Sequence, residues 1–274
     1  MSQKKWFLWF VYHHPLGYPL LLIFRMRWFS QMMGWIFRSR FSRILIWPLV
    51  HHYGISLQSY IVPFRGFQTL NEFFIRETRP EWRIFPRDNI LASPADSCVE
   101  IFQNILSTDV YSIKWYSLKL EDIFWPDVAD FSWGDVCFCR LRFSDYHRFH
   151  FFDEGKVIYT SERDGPLYSV VNHVLDTGLW TQNKSHLSRL KTKHFGDILW
   201  LEVGATNVGS ITNHKKMGDT FARSEEKWYF ELGGSAVLLV FQKNTIQWSA
   251  PLLQKSLQKE EYEVVAGDVI WSKI

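Results

Sequence analysis

From its sequence the chain is an α+β protein, a β-rich body with an N-terminal helical arm, and three observations predict it. Its 274 residues, 47% of them hydrophobic, suffice for a sizeable buried core and exclude a disordered chain or a disulfide-stapled miniprotein. Residues 1–50 hold seven Lys and Arg and no Asp or Glu, against 24 basic and 28 acidic residues in the other 224. A net charge of +3 therefore conceals a +7 arm joined to a −4 body. From about Asn89 onward the texture changes to short apolar runs set off by Gly, Pro, Asp and Asn, which is how strands read in a β-rich domain.

The arm, residues 1–50, carries 13 of the 48 aromatic residues, among them Trp6, Trp9, Trp28, Trp35 and Trp47, interleaved with arginines. An indole at headgroup level beside a cation near lipid phosphate is what a bilayer interface selects, so the arm is read as membrane-associating. Residues 6–24 lack any Lys, Arg, Asp or Glu and approach the length of a span. Their interior argues against a simple span, because His13 and His14 are polar and Pro15, Gly17 and Pro19 interrupt a helix. The expectation is a short helix, a turn near residues 13–19 and an amphipathic helix over 20–37 lying in the interface. A buried hairpin of core helices fits the same apolar run. No small-residue cleavage site follows it, so a signal peptide fits poorly.

The body, residues 51–274, follows. Residues 46–63 read as a short helix and loop, and 67–79 as an amphipathic helix with Leu70, Phe73 and Phe74 on one face, ended by Pro80. Strands are expected at 98–105, 136–143, 156–161, 198–203, 236–242 and 264–271, and short helices at 117–123 and 168–175. Cys98, Cys137 and Cys139 are odd in number, and the C-x-C pair lacks the second pair of a zinc site. They read as reduced strand residues, which favours the cytoplasmic side.

Three segments could carry chemistry. Ser93-Pro94-Ala95-Asp96-Ser97 sets a carboxylate after a rigid turn, Tyr146-His147-Arg148-Phe149-His150 sets two imidazoles three apart, and Glu231-Leu232-Gly233-Gly234-Ser235 precedes an apolar strand. Singly, each has a plainer reading: a turn-capping Asp, structural histidines and an ordinary turn. His147 and His150 find no third metal ligand of matching spacing, so no metal is expected. Taken together, Asp96, His150 and Ser235 permit an orienting carboxylate, a base and a hydroxyl nucleophile. A serine hydrolase would use such a set, but the G-x-S-x-G elbow is missing and the double glycine goes unexplained.

The spaced blocks resemble the phosphatidylserine decarboxylase proenzymes, which are pyruvoyl-dependent enzymes of phospholipid synthesis. Leu70–Arg76 with Arg79-Pro80 is similar to that family's N-x-F-F-x-R…R-P helix, and Ser93–Asp96 to its P-x-D-G segment. Tyr146–His150 matches Y-H-R-x-H, residues 165–170 match G-x-L-x-S-V, 203–211 match V-G-A-x-x-V-G-S-I, and 232–235 match the G-G-S processing site.

The resemblance implies a β-rich catalytic body and a chain that cuts itself at Gly234–Ser235 into a β chain, 1–234, and an α chain, 235–274. Ser235 would attack the Gly234 carbonyl, with His150 as base and Asp96 orienting it, and would end as an N-terminal pyruvoyl group. His147 would face the substrate. Phosphatidylserine would then lose carbon dioxide through a Schiff base to give phosphatidylethanolamine, with no metal and no dissociable cofactor. The partners implied are phosphatidylserine in the bilayer and the membrane surface, with no nucleic acid and with a homodimer compatible. The location implied is the cytoplasmic side of the cell membrane, peripheral or monotopic.

Four places depart from the family pattern: Ser97 for Gly, a missing N-E-R element around 188–193, Trp228 for Gly, and Ala236 after the Ser. They leave Asp96, His147, His150 and Ser235 in place. A diverged member acting on another serine-headed lipid or an amine, and an unprocessed lipid-binding relative, stay open as alternatives.

Overall fold

The apolar runs read as strands come together in one antiparallel sheet. The computed structural model describes residues 3–87, 89–105, 111–113, 116–118, 123–124, 128–205, 215–231 and 235–271. Its helices are α1 Gln3–His13, α2 Tyr18–Phe24, α3 Arg27–Arg38, α4 Ile46–Tyr53, α5 Leu70–Phe74 and α6 Ala250–Leu257. Its strands are β1 Ser97–Ile105, β2 Tyr111–Ile113, β3 Tyr116–Leu118, β4 Gly134–Leu141, β5 Arg148–His150, β6 Gly155–Arg163, β7 Ser185–Thr192, β8 Asp197–Val203, β9 Thr220–Phe221, β10 Glu226–Tyr229, β11 Ser235–Phe241 and β12 Tyr262–Val264.

Eight strands form the main sheet in the order β12-β1-β4-β11-β8-β7-β6-β9, while β10 pairs with β5 and β2 with β3. Alternate side chains face opposite ways along a strand. Cys137, Trp200, Val237 and Leu239 fill one face with Phe149, Phe151 and Phe230, and Phe138, Leu201, Ala236 and Leu238 fill the other with Val170 and Trp180. Burial on both faces explains why β11 reads as an unbroken apolar run.

Several boundaries differ from the sequence expectation. The helix expected over 67–79 is only α5: the Thr69 hydroxyl accepts the Glu72 amide at its start, and the chain leaves it at Ile75. Arg76 then turns inward and donates to Phe73 O, Tyr60 Oη, Ser144 O and Asp145 O, which helical continuation would forbid. The helix expected over 20–37 breaks into α2 and α3, because Met26 is extended and Arg25 O accepts the Leu167 amide.

The strand expected over 264–271 stops at Val264, where Asp268 caps a turn by accepting the Val265 amide. Residues 168–175 hold a 3-10 turn over Asn172–Thr177 in place of the expected helix, and Ser117 lies in β3. Strands β2, β5, β7, β9 and β10 and helix α6 were not expected at all.

No single helix among the described residues is long and apolar enough to cross a membrane, and the segments Trp6–His13 and Pro15–Phe24 meet at 94°. Gly17 permits the bend, since a Cβ there would lie 2.3 Å from Phe10 O. The arm packs on the body. Val11 and Leu21 bury against Tyr168, His13 Nε2 meets Asp176, and Ile46 and Val50 of α4 pack on Phe67, Leu70 and Phe73.

Candidate active site

Asp96 closes the turn before β1, and the C-terminal segment holds that turn in place. Ser93 N donates to Asp268 O, Gly267 N to Ser93 O and Ile270 N to Leu91 O. The Asp96 carboxylate accepts the Ala266 amide at 2.8 Å and a bidentate pair from Arg83, Nε to Oδ1 at 2.9 Å and Nη2 to Oδ2 at 2.5 Å. A fork of this kind is the strong form of the Arg–carboxylate contact. Ser97, the departure from glycine, is buried at the start of β1 and leaves the turn intact.

His147 immediately precedes β5 and His150 is its last residue. The His150 backbone N donates to Pro94 O, which brings it to the Asp96 turn. Its Nδ1 lies 3.1 Å from Ser224 O; a carbonyl only accepts, so Nδ1 carries the proton and Nε2 is the basic atom, 3.3 Å from Tyr146 Oη. The tautomer the sequence assigned to Asp96 is thus fixed by Ser224, and Asp96 is engaged by Arg83 and Ala266. Burial holds His150 below the ordinary histidine value of 6.5, and the Ser224 contact and the charges of Glu226 and Asp96 oppose it only in part.

His147 is fully buried, its Nδ1 donating to Asp145 O at 2.9 Å and its ring 3.8 Å from that of Phe74. Burial pushes the Asp145 carboxyl up despite its contacts with Arg142.

His150 opens on a cavity of about 410 Å³ lined by Glu77, Thr78, Arg83, Tyr146, Arg148 and Glu226 among others. Charges of both signs on its walls suit a small polar group carrying both signs.

Ser235 is the first residue of β11, paired with Leu141 and fully buried, and its Oγ has no hydrogen-bond partner among the described residues. Gly234, the other side of the expected cut, lies outside the described residues. No hydrogen bond joins Asp96 to His150, or Ser235 to either histidine, among the described residues. The backbone brings residues 226–230 beside the histidines. Glu226 pairs with His150 and Tyr229 with Arg148, and Phe230 N donates to His147 O at 2.9 Å. Residues 226–230, earlier in the chain than Ser235, therefore run alongside the backbone of both histidines.

Sequence reasoning missed three groups that build this region. Arg83 sat unremarked after the R-P pair, although an arginine beside an isolated buried carboxylate is its natural counter-ion. Asn183 is fully buried; its Oδ1 accepts the Tyr168 amide and its Nδ2 donates to Tyr168 O and Gly204 O, tying two of the spaced blocks together. Glu202 and Lys227 form a fully buried ion pair, with His186 Nδ1 at 3.0 Å from the other Glu202 oxygen. Only a charged residue inside an apolar strand pattern, such as Glu202 after Leu199-Trp200-Leu201, could have signalled it.

Comparison with known proteins shows the family. The family model described as phosphatidylserine decarboxylase matches residues 70–271. A phosphatidylserine decarboxylase proenzyme of Clostridium kluyveri is 34% identical over all of this chain and 94% of its own length. One of Chlamydia felis is 36% identical over 87% of this chain and 81% of its own length, and one of Ruminiclostridium cellulolyticum is 33% identical over 92% and 85%. The buried serine, the paired histidines and the matched length agree, and the chain belongs to the phosphatidylserine decarboxylase family.

Proposed function

We propose that the chain is a self-cleaving phosphatidylserine decarboxylase proenzyme, which cuts itself between Gly234 and Ser235 and uses the pyruvoyl group made from Ser235 to convert phosphatidylserine to phosphatidylethanolamine and carbon dioxide. The observation that carries this reading is the buried Ser235 hydroxyl, which has no hydrogen-bond partner among the described residues. A buried polar group is ordinarily satisfied, and one left open at the start of a rigid strand suits a nucleophile aimed at its own preceding carbonyl.

The cut balances on residues of the chain. His150 Nε2 accepts the hydroxyl proton, Ser235 Oγ bonds to the Gly234 carbonyl carbon, and the Ser235 nitrogen leaves that carbon as an amine, so the amide becomes an ester. Loss of the Cα proton and of the Cβ–Oγ bond then frees the Gly234 carboxylate and gives dehydroalanine, which takes up water and releases ammonia. The pyruvoyl group supplies an electron sink for the decarboxylation. Arg83 and Arg148 in the cavity wall orient the anionic parts of the headgroup, Glu77 and Glu226 face its amine, and His147 handles the proton that replaces carbon dioxide.

A lipid substrate requires the chain to work at a membrane. Exposed Trp6, Trp9, Trp28, Trp35 and Trp47 on the arm support peripheral or monotopic attachment, and the free thiols of Cys98, Cys137 and Cys139 support the cytoplasmic side. Intact-mass measurement tests the cut: fragments of 234 and 40 residues are expected, the shorter one blocked at its N-terminus. Labelled phosphatidylserine tests the reaction, and a fully cut protein that releases no carbon dioxide from it would overturn the substrate assignment.

A depressed His150 value has a pH consequence. With the imidazole protonating at lower pH than an ordinary histidine, the acid limb of the self-cleavage profile is expected below pH 6.5. Stability follows the same sign: below 6.5 the unfolded chain takes up a proton that folded His150 resists, so this residue lowers stability as the pH falls and contributes nothing above that range. An acid limb above 6.5 would remove His150 as the base.

A further inference from the structure

Apolar side chains stand exposed around the mouth of the His150 cavity, well beyond the arm. The cavity wall residues Glu77 and Thr78 belong to a short antiparallel pairing. Tyr60 bridges Thr78, Ile61 N donates to Glu77 O at 2.8 Å, and Arg79 N donates to Ser59 O at 2.9 Å. The pairing carries Ile61-Val62-Pro63-Phe64-Arg65 outward. Gly66 N closes a turn on Pro63 O at 2.8 Å and Gly66 takes φ +67°, so Phe64 is held at a defined tip, 105% exposed. On the other flank Trp82 and Ile84 are exposed and alternate with Arg83 and Phe85, which line the cavity. Polar walls thus carry an apolar lip.

Charge says what covers the lip. The acid-free stretch of the chain extends past the arm to Asn71, since Glu72 is its first acidic residue. Arg40, Arg43 and Arg65 are exposed beside the turn, and Arg43 Nη2 donates to Arg65 O at 3.2 Å, joining the turn to exposed Phe41 and Ile44. A second copy of this surface would meet it with like charge. An apolar tip ringed by arginines is complementary to an anionic bilayer.

Resting on the lipid-substrate reading above, we propose that the Phe64 turn and the Trp82–Ile84 flank insert into an anionic bilayer and seat the cavity mouth on it. The headgroup then enters among Arg83, Arg148 and Glu226, while the acyl chains stay against Ile61, Val62, Phe64, Trp82 and Ile84.

The test uses the full chain and Phe64→Asp, with Phe64→Leu as the conservative control. Flotation with phosphatidylcholine–phosphatidylserine vesicles is measured first, because it needs no chemistry. Then the rate on those vesicles is divided by the rate on monomeric dihexanoyl-phosphatidylserine. Phe64→Asp is expected to lower vesicle binding and that ratio by about tenfold, the scale of one aromatic side chain returned to water, while Phe64→Leu keeps both. Wild-type binding and ratio in Phe64→Asp would overturn the proposal, as would weakened self-association with vesicle binding intact. Weakened flotation in a chain whose wild type decarboxylates neither lipid would leave the docking surface standing and count against the substrate reading instead.

Discussion

Ser235→Ala is expected to remain a single chain of 274 residues and to release no carbon dioxide. The variant keeps the fold, because Ala fits the fully buried first position of β11 and removes a hydroxyl that bonds to nothing described. Deleting an unsatisfied buried polar atom is close to neutral for stability or favours it, so loss of chemistry would not be loss of structure. Without Oγ there is no nucleophile to form the ester and no Cβ–O bond to eliminate. Gel mobility and intact mass read the first effect, and carbon dioxide release the second. Cleavage of Ser235→Ala at the wild-type position would remove Ser235 from the mechanism, while a cut wild type that stays inactive would keep the cut and reject the substrate.

Lys227→Met is expected to be the most destabilising single change among the described residues. Lys227 and Glu202 are about 1% exposed, between the rings of Trp200 and Phe151. Burial favours the neutral form of each. For Glu202 the charge of Lys227 and the contact with His186 outweigh it and hold the carboxyl below its ordinary value, whereas at Lys227 burial prevails over the pull of Glu202 and lowers the ammonium from the ordinary lysine value. Removing the ammonium strands that carboxylate, a loss of about 3–5 kcal/mol, out of a stability of roughly 5–15 kcal/mol for a domain. At about 2–4 °C per kcal/mol, the melting temperature should fall by roughly 10 °C. The double variant Lys227→Met with Glu202→Leu should recover most of that loss, because two apolar side chains replace the whole pair. A fall of less than about 2 °C in Lys227→Met would show that the carboxylate finds other compensation.

What the sequence made legible follows physical reach. Strands such as β8 and β11 were readable because burial on both faces writes an apolar run into consecutive residues. β10 and β7 were not: Glu226-Lys227-Trp228-Tyr229 and Ser185–Thr192 owe their conformation to partners far along the chain. Asp96, His147, His150 and Ser235 were singled out as types in an order, and the resemblance assigned them roles. Their bonding was not, because Arg83 to Asp96 and Ser224 to His150 are contacts of the folded chain that no spacing announces. The helix over 67–79 failed for the same reason, Arg76 being drawn inward by carbonyls of residues 144 and 145.

Under the proposed cut, the place of β11 has a further meaning. The 40-residue piece beginning at Ser235 contributes a strand laddered to β4 on one side and β8 on the other, then α6 and β12 on β1. An ordinary new terminus frays, but this one is paired with β4 at Ser235 and with β8 from Ala236 onward, so the proposed reactive end would be born already positioned. The two pieces should travel as one particle through gel filtration and separate only in denaturant, because withdrawing the shorter would open both apolar layers at once.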